Sequence, residues 1–345
     1  MPLSGAGPQV LLGPLYGHKN WEDVEKLGTP VKLIVTGNMT IDDIVLPDGR
    51  TRMGLPGGNA LYASMAASLW SDGVAILTRK TPGYPPQNIQ KIAGMGICTD
   101  GMAPFDRQTM RIWQIYESDG RRTSIQRNLV VGGMESYSPL PADIPQSYRQ
   151  PSVQAVLLCA MRAENQYQLA ADFAGRGVPV LLDPPEVEQE HERQRLLTAL
   201  QYVDVFLPSL QEVEEILGHG QLHRAARQFA RYGPRYVVIK LGQEGCLVYR
   251  RQDDSFVSLP CYNTRAVDAT GAGDSFGGGF LAGYAATGGD VLAAACQATV
   301  TASFAVEDYS YGGLLRTGSP QATQRLQVYR QQNSGRQFGR EEDSE

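Results

Sequence analysis

The run Val267-Asp268-Ala269-Thr270-Gly271-Ala272-Gly273-Asp274-Ser275-Phe276-Gly277-Gly278-Gly279-Phe280 leads small residues straight into an apolar helix. Two of the four residues Thr270–Gly273 lack a Cβ, so the chain can turn tightly there. A helix that begins at such a turn points unpaired N–H groups, and the positive end of its dipole, at whatever lies in front. That makes an anion site suited to phosphate. Asp274 serves there as an N-terminal charge, and is equally placed to take a proton from an incoming hydroxyl. An isolated G-x-G-D pattern reads more simply as a stabilised helix start. Glycines 277, 278, 279 and 283 argue for more. Each costs roughly 1 kcal/mol against Ala in a helix, so something must approach this backbone closely.

Upstream of that run, apolar strands at Ala155–Cys159, Val178–Asp183, Val203–Leu207 and Tyr236–Lys240 alternate with helical stretches near Glu164–Ala174, Glu188–Ala199, Leu210–Leu217 and Leu222–Tyr232. This alternation argues for a parallel sheet with helices on both faces. Nearer the N-terminus, Lys32–Gly37 reads as a buried strand and Val74–Thr78 as another, with a helix from about Asn59 to Trp70 between them. Two hairpin signals, Thr40–Arg52 around Asp48-Gly49 and Thr109–Arg127 around Asp119-Gly120, fit no βαβ unit and predict a small separate β-structure. Helices are expected at Gly273–Thr287, Asp290–Val306 and Gln321–Gln331. Residues 1–30 form a Gly/Pro-punctuated extension with one short helix at Trp21–Leu27. The polar tail Asn333–Glu345 reads as disordered.

Composition narrows the function. The 345 residues carry a net charge of −5, no basic footprint for nucleic acid. No apolar run approaches the ~18 residues of a membrane span, and the N-terminus is a poor signal peptide. The five scattered cysteines read as reduced thiols of a cytoplasmic protein. The 42% hydrophobic content leaves ample material for a core.

Asp268-Ala269-Thr270-Gly271-Ala272-Gly273-Asp274-Ser275-Phe276 resembles the C-terminal signature of the ribokinase-like (PfkB) carbohydrate kinases, and the order of features from Val31 to about Leu315 is similar to that family's. The resemblance implies a ribokinase-like α/β fold: a central, mostly parallel sheet flanked by helices in a kinase domain over 31–317, a small β-sheet lid from 40–56 and 105–128, and a C-terminal helix over 318–332. It implies ATP-dependent phosphorylation of an alcohol on a small-molecule sugar or nucleoside, with magnesium and, in some members, a monovalent cation. It also implies a homodimer through the lid, and no nucleic-acid or membrane partner. A sugar-phosphate kinase and a non-catalytic binding or scaffold protein are the alternatives.

Carried over residue by residue, the resemblance makes Asp274 the catalytic base and the backbone of Gly271, Ala272 and Gly273 the anion hole, with Thr270 beside the nucleotide. Asp42, with Asp43 as near neighbour, matches the acceptor-binding aspartate, and Gly57-Gly58-Asn59 matches the Gly-Gly turn at the acceptor. The family's usual Asn lies a few residues on, where this chain has Leu61 and Tyr62. Lys240, Gly242 and Gly245 match the strand and glycine turn beside the nucleotide phosphates. Glu212 matches the Asn-x-x-Glu element that reaches magnesium through water, although Ser209 replaces the Asn and Ser209/Glu212 also reads as a helix capping box. Asp183-Pro184-Pro185 resembles the family's Asp-Pro strand end. Arg79-Lys80 and Arg121-Arg122 offer charge for an acceptor phosphate, and His219/His223 form an i,i+4 pair; both read more simply as surface charge.

Overall fold

A computed structural model of the chain describes residues 29–118, 122–127 and 137–340. The expected N-terminal extension, its short helix, and the tip of the second hairpin lie outside the described residues. From Val31 onward the chain forms one compact unit. Its elements run β1 (Leu33–Thr36), β2 (Thr40–Val45), β3 (Thr51–Gly57), α1 (Asn59–Ser68), β4 (Val74–Lys80), α2 (Pro86–Gly94), β5 (Cys98–Pro104), β6 (Arg111–Tyr116) and β7 (Arg122–Gln126). After these come β8 (Ala155–Leu158), α3 (Ala163–Gly175), β9 (Val180–Leu182), α4 (Glu190–Ala199), β10 (Val205–Phe206), α5 (Leu210–Leu217), α6 (Leu222–Ala230) and β11 (Tyr236–Lys240). The order closes with β12 (Cys246–Arg250), β13 (Ser255–Leu259), α7 (Ala272–Ala286), α8 (Val291–Ala305), α9 (Gly312–Arg316) and α10 (Ser319–Gln332).

The large sheet has the order β13-β12-β11-β10-β9-β8-β1-β4-β5. It is parallel from β11 to β5, and β12 and β13 add antiparallel at one end. Period-two alternation feeds both faces: Leu33 and Val35 pack with α1, α7 and α8, while Ile34 packs on the α3, α4 and α6 side. Chain order reverses between β1 and β8. Open α/β sheets bind ligands outside the carboxyl ends of the strands at such a switch point.

The second sheet has the order β3-β2-β6-β7, as expected for the lid, with a parallel β2–β6 pair at its centre. The glycines of α7 are explained by packing. A Cβ on Gly278 would lie 2.1 Å from the Ala63 carbonyl oxygen of α1, and one on Gly283 would lie 2.8 Å from the Cα of Ala294 of α8. What approaches the helix backbone is thus the two neighbouring helices.

Several features differ from expectation. Helices α2 and α9 and strands β5, β12 and β13 lie where the sequence reading assigns no element. Helix α10 packs into the main core through Leu326 and Tyr329, and the Tyr329 hydroxyl donates to the Pro260 carbonyl at 2.5 Å. Of the polar tail expected to be disordered, the described residues 333–340 return to the sheet instead. Gly339 and Phe256 exchange backbone hydrogen bonds of 2.8 and 2.9 Å along edge strand β13. Among the cysteines, Cys159, Cys246 and Cys296 are buried and all five are free thiols.

Candidate active site

Gly271 caps α7 with φ 74°, a left-handed conformation, and a Cβ there would stand 2.3 Å from the Tyr62 ring. Only glycine fits both the torsion and the space. Asp274 is the third residue of the helix. The Ala272 N–H turns back to the Ala269 carbonyl at 3.2 Å, so that amide is used within the turn; among the described residues the Gly271 and Gly273 amides have no protein acceptor. The anion hole expected from Gly271, Ala272 and Gly273 therefore rests on its two glycines. Asp268 shapes the turn by accepting from both the N–H and the hydroxyl of Thr270, at 2.9 and 2.7 Å. Its second oxygen, Oδ2, is buried without a hydrogen-bond partner.

The small sheet reaches this turn. Tyr116 at the end of β6 places its hydroxyl 2.5 Å from Thr270 Oγ1. By strand alternation Asp42 lies on the same face as Tyr116. Asp42 is 2% exposed and accepts from the Thr40 hydroxyl at 2.7 Å. Asp43 points the other way. It accepts from the Gly54 amide at 2.7 Å and pairs with Arg111 and Arg127. Burial pushes its carboxyl up, but Arg127, the Gly54 amide and Arg111 outweigh this and hold it below the ordinary aspartate range. The structure thus separates the two adjacent carboxylates, one binding the lid together and one facing the site.

Gly57 and Gly58 bring backbone against Asp42 and the end of β1. A Cβ on Gly57 would fall 2.0 Å from Asp42 Oδ2, and one on Gly58, at φ 98°, would fall 2.4 Å from the Asn38 carbonyl. Gly57→Ala is therefore expected to push the Asp42 carboxylate aside and, if Asp42 binds the acceptor as the resemblance implies, to raise the acceptor KM about tenfold or more with nucleotide binding unchanged; titrating each ligand separately measures this. Asn59 also serves the scaffold. Its Oδ1 accepts from the Asn38 and Ala60 amides, both at 2.8 Å, and its Nδ2 donates to the Ala160 carbonyl. The side chain ties the carboxyl ends of β1 and β8 together at the switch point, which uses its oxygen fully and one of its two N–H donors.

Tyr62, the departure from the usual Asn, is 2% exposed beneath the turn. Burial first, then the Asp42 carboxylate, push its phenol well above the ordinary tyrosine value.

On the other side of the switch point, Lys240 ends β11 and Asp183 follows β9. Lys240 Nζ lies 2.6 Å from Asp183 Oδ1, with both side chains largely buried. Burial pulls the Lys240 ammonium down, but the Asp183, Glu212 and Asp274 carboxylates outweigh it and hold it above the ordinary lysine value. Burial pushes the Asp183 carboxyl up to about 7, with Glu212 and Asp274 adding to it and Lys240 opposing. The pair is ionised: Lys240 stays protonated, and a 2.6 Å contact favours a carboxylate partner.

Glu212 and Ser209 form the capping box. The Ser209 N–H donates to Glu212 Oε2 at 2.5 Å, and the Glu212 N–H donates to Ser209 Oγ at 3.2 Å. Among the described residues no cluster of three or more His, Cys, Asp or Glu could hold a metal directly. Gly242, at φ 58° in the β11–β12 turn, faces open space, whereas a Cβ on Gly245 would meet the Leu259 carbonyl at 2.0 Å. Gly242 thus leaves room for a ligand, while the β13 backbone explains Gly245. Arg79 is held by Asp143 at 2.9 Å. His219 accepts from the Gln221 amide and His223 packs edge-on against Phe256, so they form no ligand pair.

Residues 149–317 match the model of the pfkB family carbohydrate kinases. A cytidine kinase of Thermococcus kodakarensis is 31% identical over 253 residues, 73% of this chain and 88% of the relative. The chain belongs to the PfkB family of carbohydrate kinases. Solved structures agree on the fold. A putative ribokinase II from E. coli in complex with ATP and Mg2+ superposes with a TM-score of 0.70 at 18% identity, covering 86% of this chain and 99% of that one. A Burkholderia thailandensis nucleoside kinase in complex with inosine gives 0.70 at 16% identity, covering 86% and 98%. This PfkB kinase is a phosphotransferase with an alcohol group as acceptor, of the sugar or nucleoside kinase class, and its family implies ATP as donor. No helix among the described residues is long and apolar enough to cross a membrane.

Proposed function

We propose that this PfkB kinase transfers the γ-phosphate of ATP to a hydroxyl of an unphosphorylated nucleoside, with Asp274 as general base. The observation that carries the reading is the carboxylate of Asp274 at the α7 N-terminus, beside the unused amides of Gly271 and Gly273, with Asp42 and Asp274 both near enough to Tyr62 to act on its phenol. Phosphoryl transfer needs mainly positioning and neutralisation of charge. Asp42 accepts hydrogen bonds from the acceptor's hydroxyls. Asp274 removes the proton of the attacking hydroxyl, a task an ordinary carboxylate performs. The Gly271 and Gly273 amides meet charge on the transferring group. Tyr116 against Thr270 brings the lid onto the turn, which keeps water from competing as acceptor.

Gly242 leaves the open face along which the nucleotide lies. Magnesium would be held on the protein side by Glu212 through water, and would supply charge neutralisation. The orphaned Asp268 Oδ2 beside the turn suits a monovalent cation. A free nucleoside or sugar is favoured over a sugar phosphate because Arg79, Arg111 and Arg127 are engaged with Asp143 and Asp43. A nucleoside is favoured by the cytidine kinase relative. The test is ATP consumption across nucleosides, free sugars and sugar phosphates. Turnover confined to phosphorylated acceptors would refute this acceptor assignment.

The lid also supports a homodimer in this reading. Trp113 and Ile125 pair across β6 and β7 and are 37% and 45% exposed, and Met53 on β3 is 54% exposed. Apolar surface of this kind on a sheet turned away from the site marks an interface. Trp113→Glu is expected to halve the mass measured by light scattering. A wild-type chain that is already monomeric at micromolar concentration removes the basis for the dimer.

A further inference from the structure

Among the described residues, two with a side chain hold a left-handed backbone, Asp254 and Ser310. Such a torsion costs energy in any residue with a Cβ, and glycine is its usual occupant. Asp254 lies at an exposed turn, where Arg227 and Tyr249 hold its carboxylate. Ser310, at φ 52°, stands in the corner between α8 and α9 and is 5% exposed. The corner is firmly anchored. Tyr311 and Leu314 belong to the main core, and a Cβ on Gly313 would lie 1.9 Å from the Phe304 carbonyl oxygen of α8. What serine supplies there and glycine cannot is a hydroxyl. It donates to the Pro56 carbonyl at 2.5 Å, across 254 positions of the chain.

Pro56 stands at the root of the small sheet, where edge strand β3 gives way to α1. Its ring fixes its φ, and its carbonyl shares one peptide plane with the Gly57 N–H. A grip on that carbonyl therefore sets the orientation of the Pro56–Gly57 peptide. Gly57 is the residue whose missing Cβ leaves room for the Asp42 carboxylate. The residue before Ser310 meets the same strand: the Arg52 guanidinium of β3 lies 4.9 Å from the centre of the Tyr309 ring. The Ser310 side chain also stands beside the Tyr62 phenol, whose ring lies against Gly271. One corner thus touches the root of the lid on one side and the residue beneath the glycine turn on the other. We propose that Ser310 is a positioning residue for the acceptor: its hydroxyl fixes the Pro56–Gly57 peptide and, through it, the direction in which the Asp42 carboxylate points. The proposal rests on the reading of Asp42 as the group that binds the acceptor's hydroxyls.

The test compares wild type with Ser310→Ala and Ser310→Gly. Both lose the hydroxyl; alanine keeps the strained torsion and glycine relieves it. Amide hydrogen exchange on the ligand-free chain should speed up about tenfold or more across residues 54–58 in both variants, while β8 to β11 of the large sheet keep wild-type rates. The acceptor KM should rise about fivefold or more in both, with kcat within about threefold of wild type and the affinity for ATP unchanged. The denaturant midpoint of Ser310→Gly should equal or exceed that of Ser310→Ala, so that the acceptor KM and stability part company. A serine of merely structural use would make KM follow the midpoint. A wild-type acceptor KM in Ser310→Ala overturns the proposal whatever its exchange rates. An effect confined to Ser310→Gly overturns it too, because backbone freedom and not the hydroxyl would then be responsible. Exchange needs no turnover, so the two readings fail separately: a wild-type chain that phosphorylates no nucleoside or sugar defeats the proposed function, and unchanged exchange across 54–58 in Ser310→Ala defeats the tether.

Discussion

Asp274→Asn is expected to lower kcat by roughly 10²–10⁴ while leaving the affinity for ATP almost unchanged. The substitution keeps the shape of the side chain on the third residue of α7 and so leaves the turn and its amides in place. On the proposed mechanism it removes the group that takes the proton, and an amide cannot replace it. It also removes a negative charge from the neighbourhood of Lys240 and Asp183, which eases the approach of a triphosphate. Nucleotide affinity should therefore hold steady or rise slightly even as turnover collapses. A coupled assay for ADP gives kcat, and calorimetry gives the affinity. Turnover within threefold of wild type would place the base elsewhere.

Gly271→Ala should be more damaging still, because it strikes fold and chemistry together. At φ 74° an alanine is strained, and its Cβ would stand 2.3 Å from the ring of Tyr62. The ring is fully buried, so it cannot swing aside. Strain of about 1–2 kcal/mol and overpacking of about 1–3 kcal/mol both apply, so a loss of about 2–5 kcal/mol in stability is expected, read as a lower denaturant midpoint. Relief requires moving the turn; on the proposed mechanism this takes the Gly271 and Gly273 amides off the phosphoryl group, and kcat should fall at least 10²-fold. A variant with wild-type midpoint and turnover would show that the turn tolerates a side chain and that its amides play no part.

Local pattern carried most of the fold. The parallel sheet announced itself as apolar runs spaced by amphipathic stretches, and the glycine turn before Asp274 by its lack of side chains. The stretch Cys98–Pro104 hid because it is an edge strand with few buried residues, so its sequence lacks a continuous apolar run. The polar end of the chain hid its order for a related reason, since Gly339 is held through backbone alone. In the candidate site, Asp42, the Gly57-Gly58 turn and Asp274 are legible as residue types that follow from local chemistry. Sequence prefers Asp42 to Asp43 by its match alone, because the arginines that occupy Asp43 come from positions 111 and 127. The structural use of Asn59 depends on Ala160, and the use of Lys240 on Asp183. Such partners are distant in the chain, and only the topology brings them together.

The parallel pairing of β2 with β6 carries a consequence for how the enzyme comes into being. Strand β2 is complete at Val45, yet its partner begins only at Arg111, after β4, α2 and β5 have been made. Contacts of such separation form slowly, because a long loop must close before they are rewarded. On the proposed reading, the aspartate that binds the acceptor is synthesised early and the base emerges more than two hundred residues later. A chain leaving the ribosome from its N-terminus therefore completes the β2–β6 pair well before Asp274, which appears only in its last third.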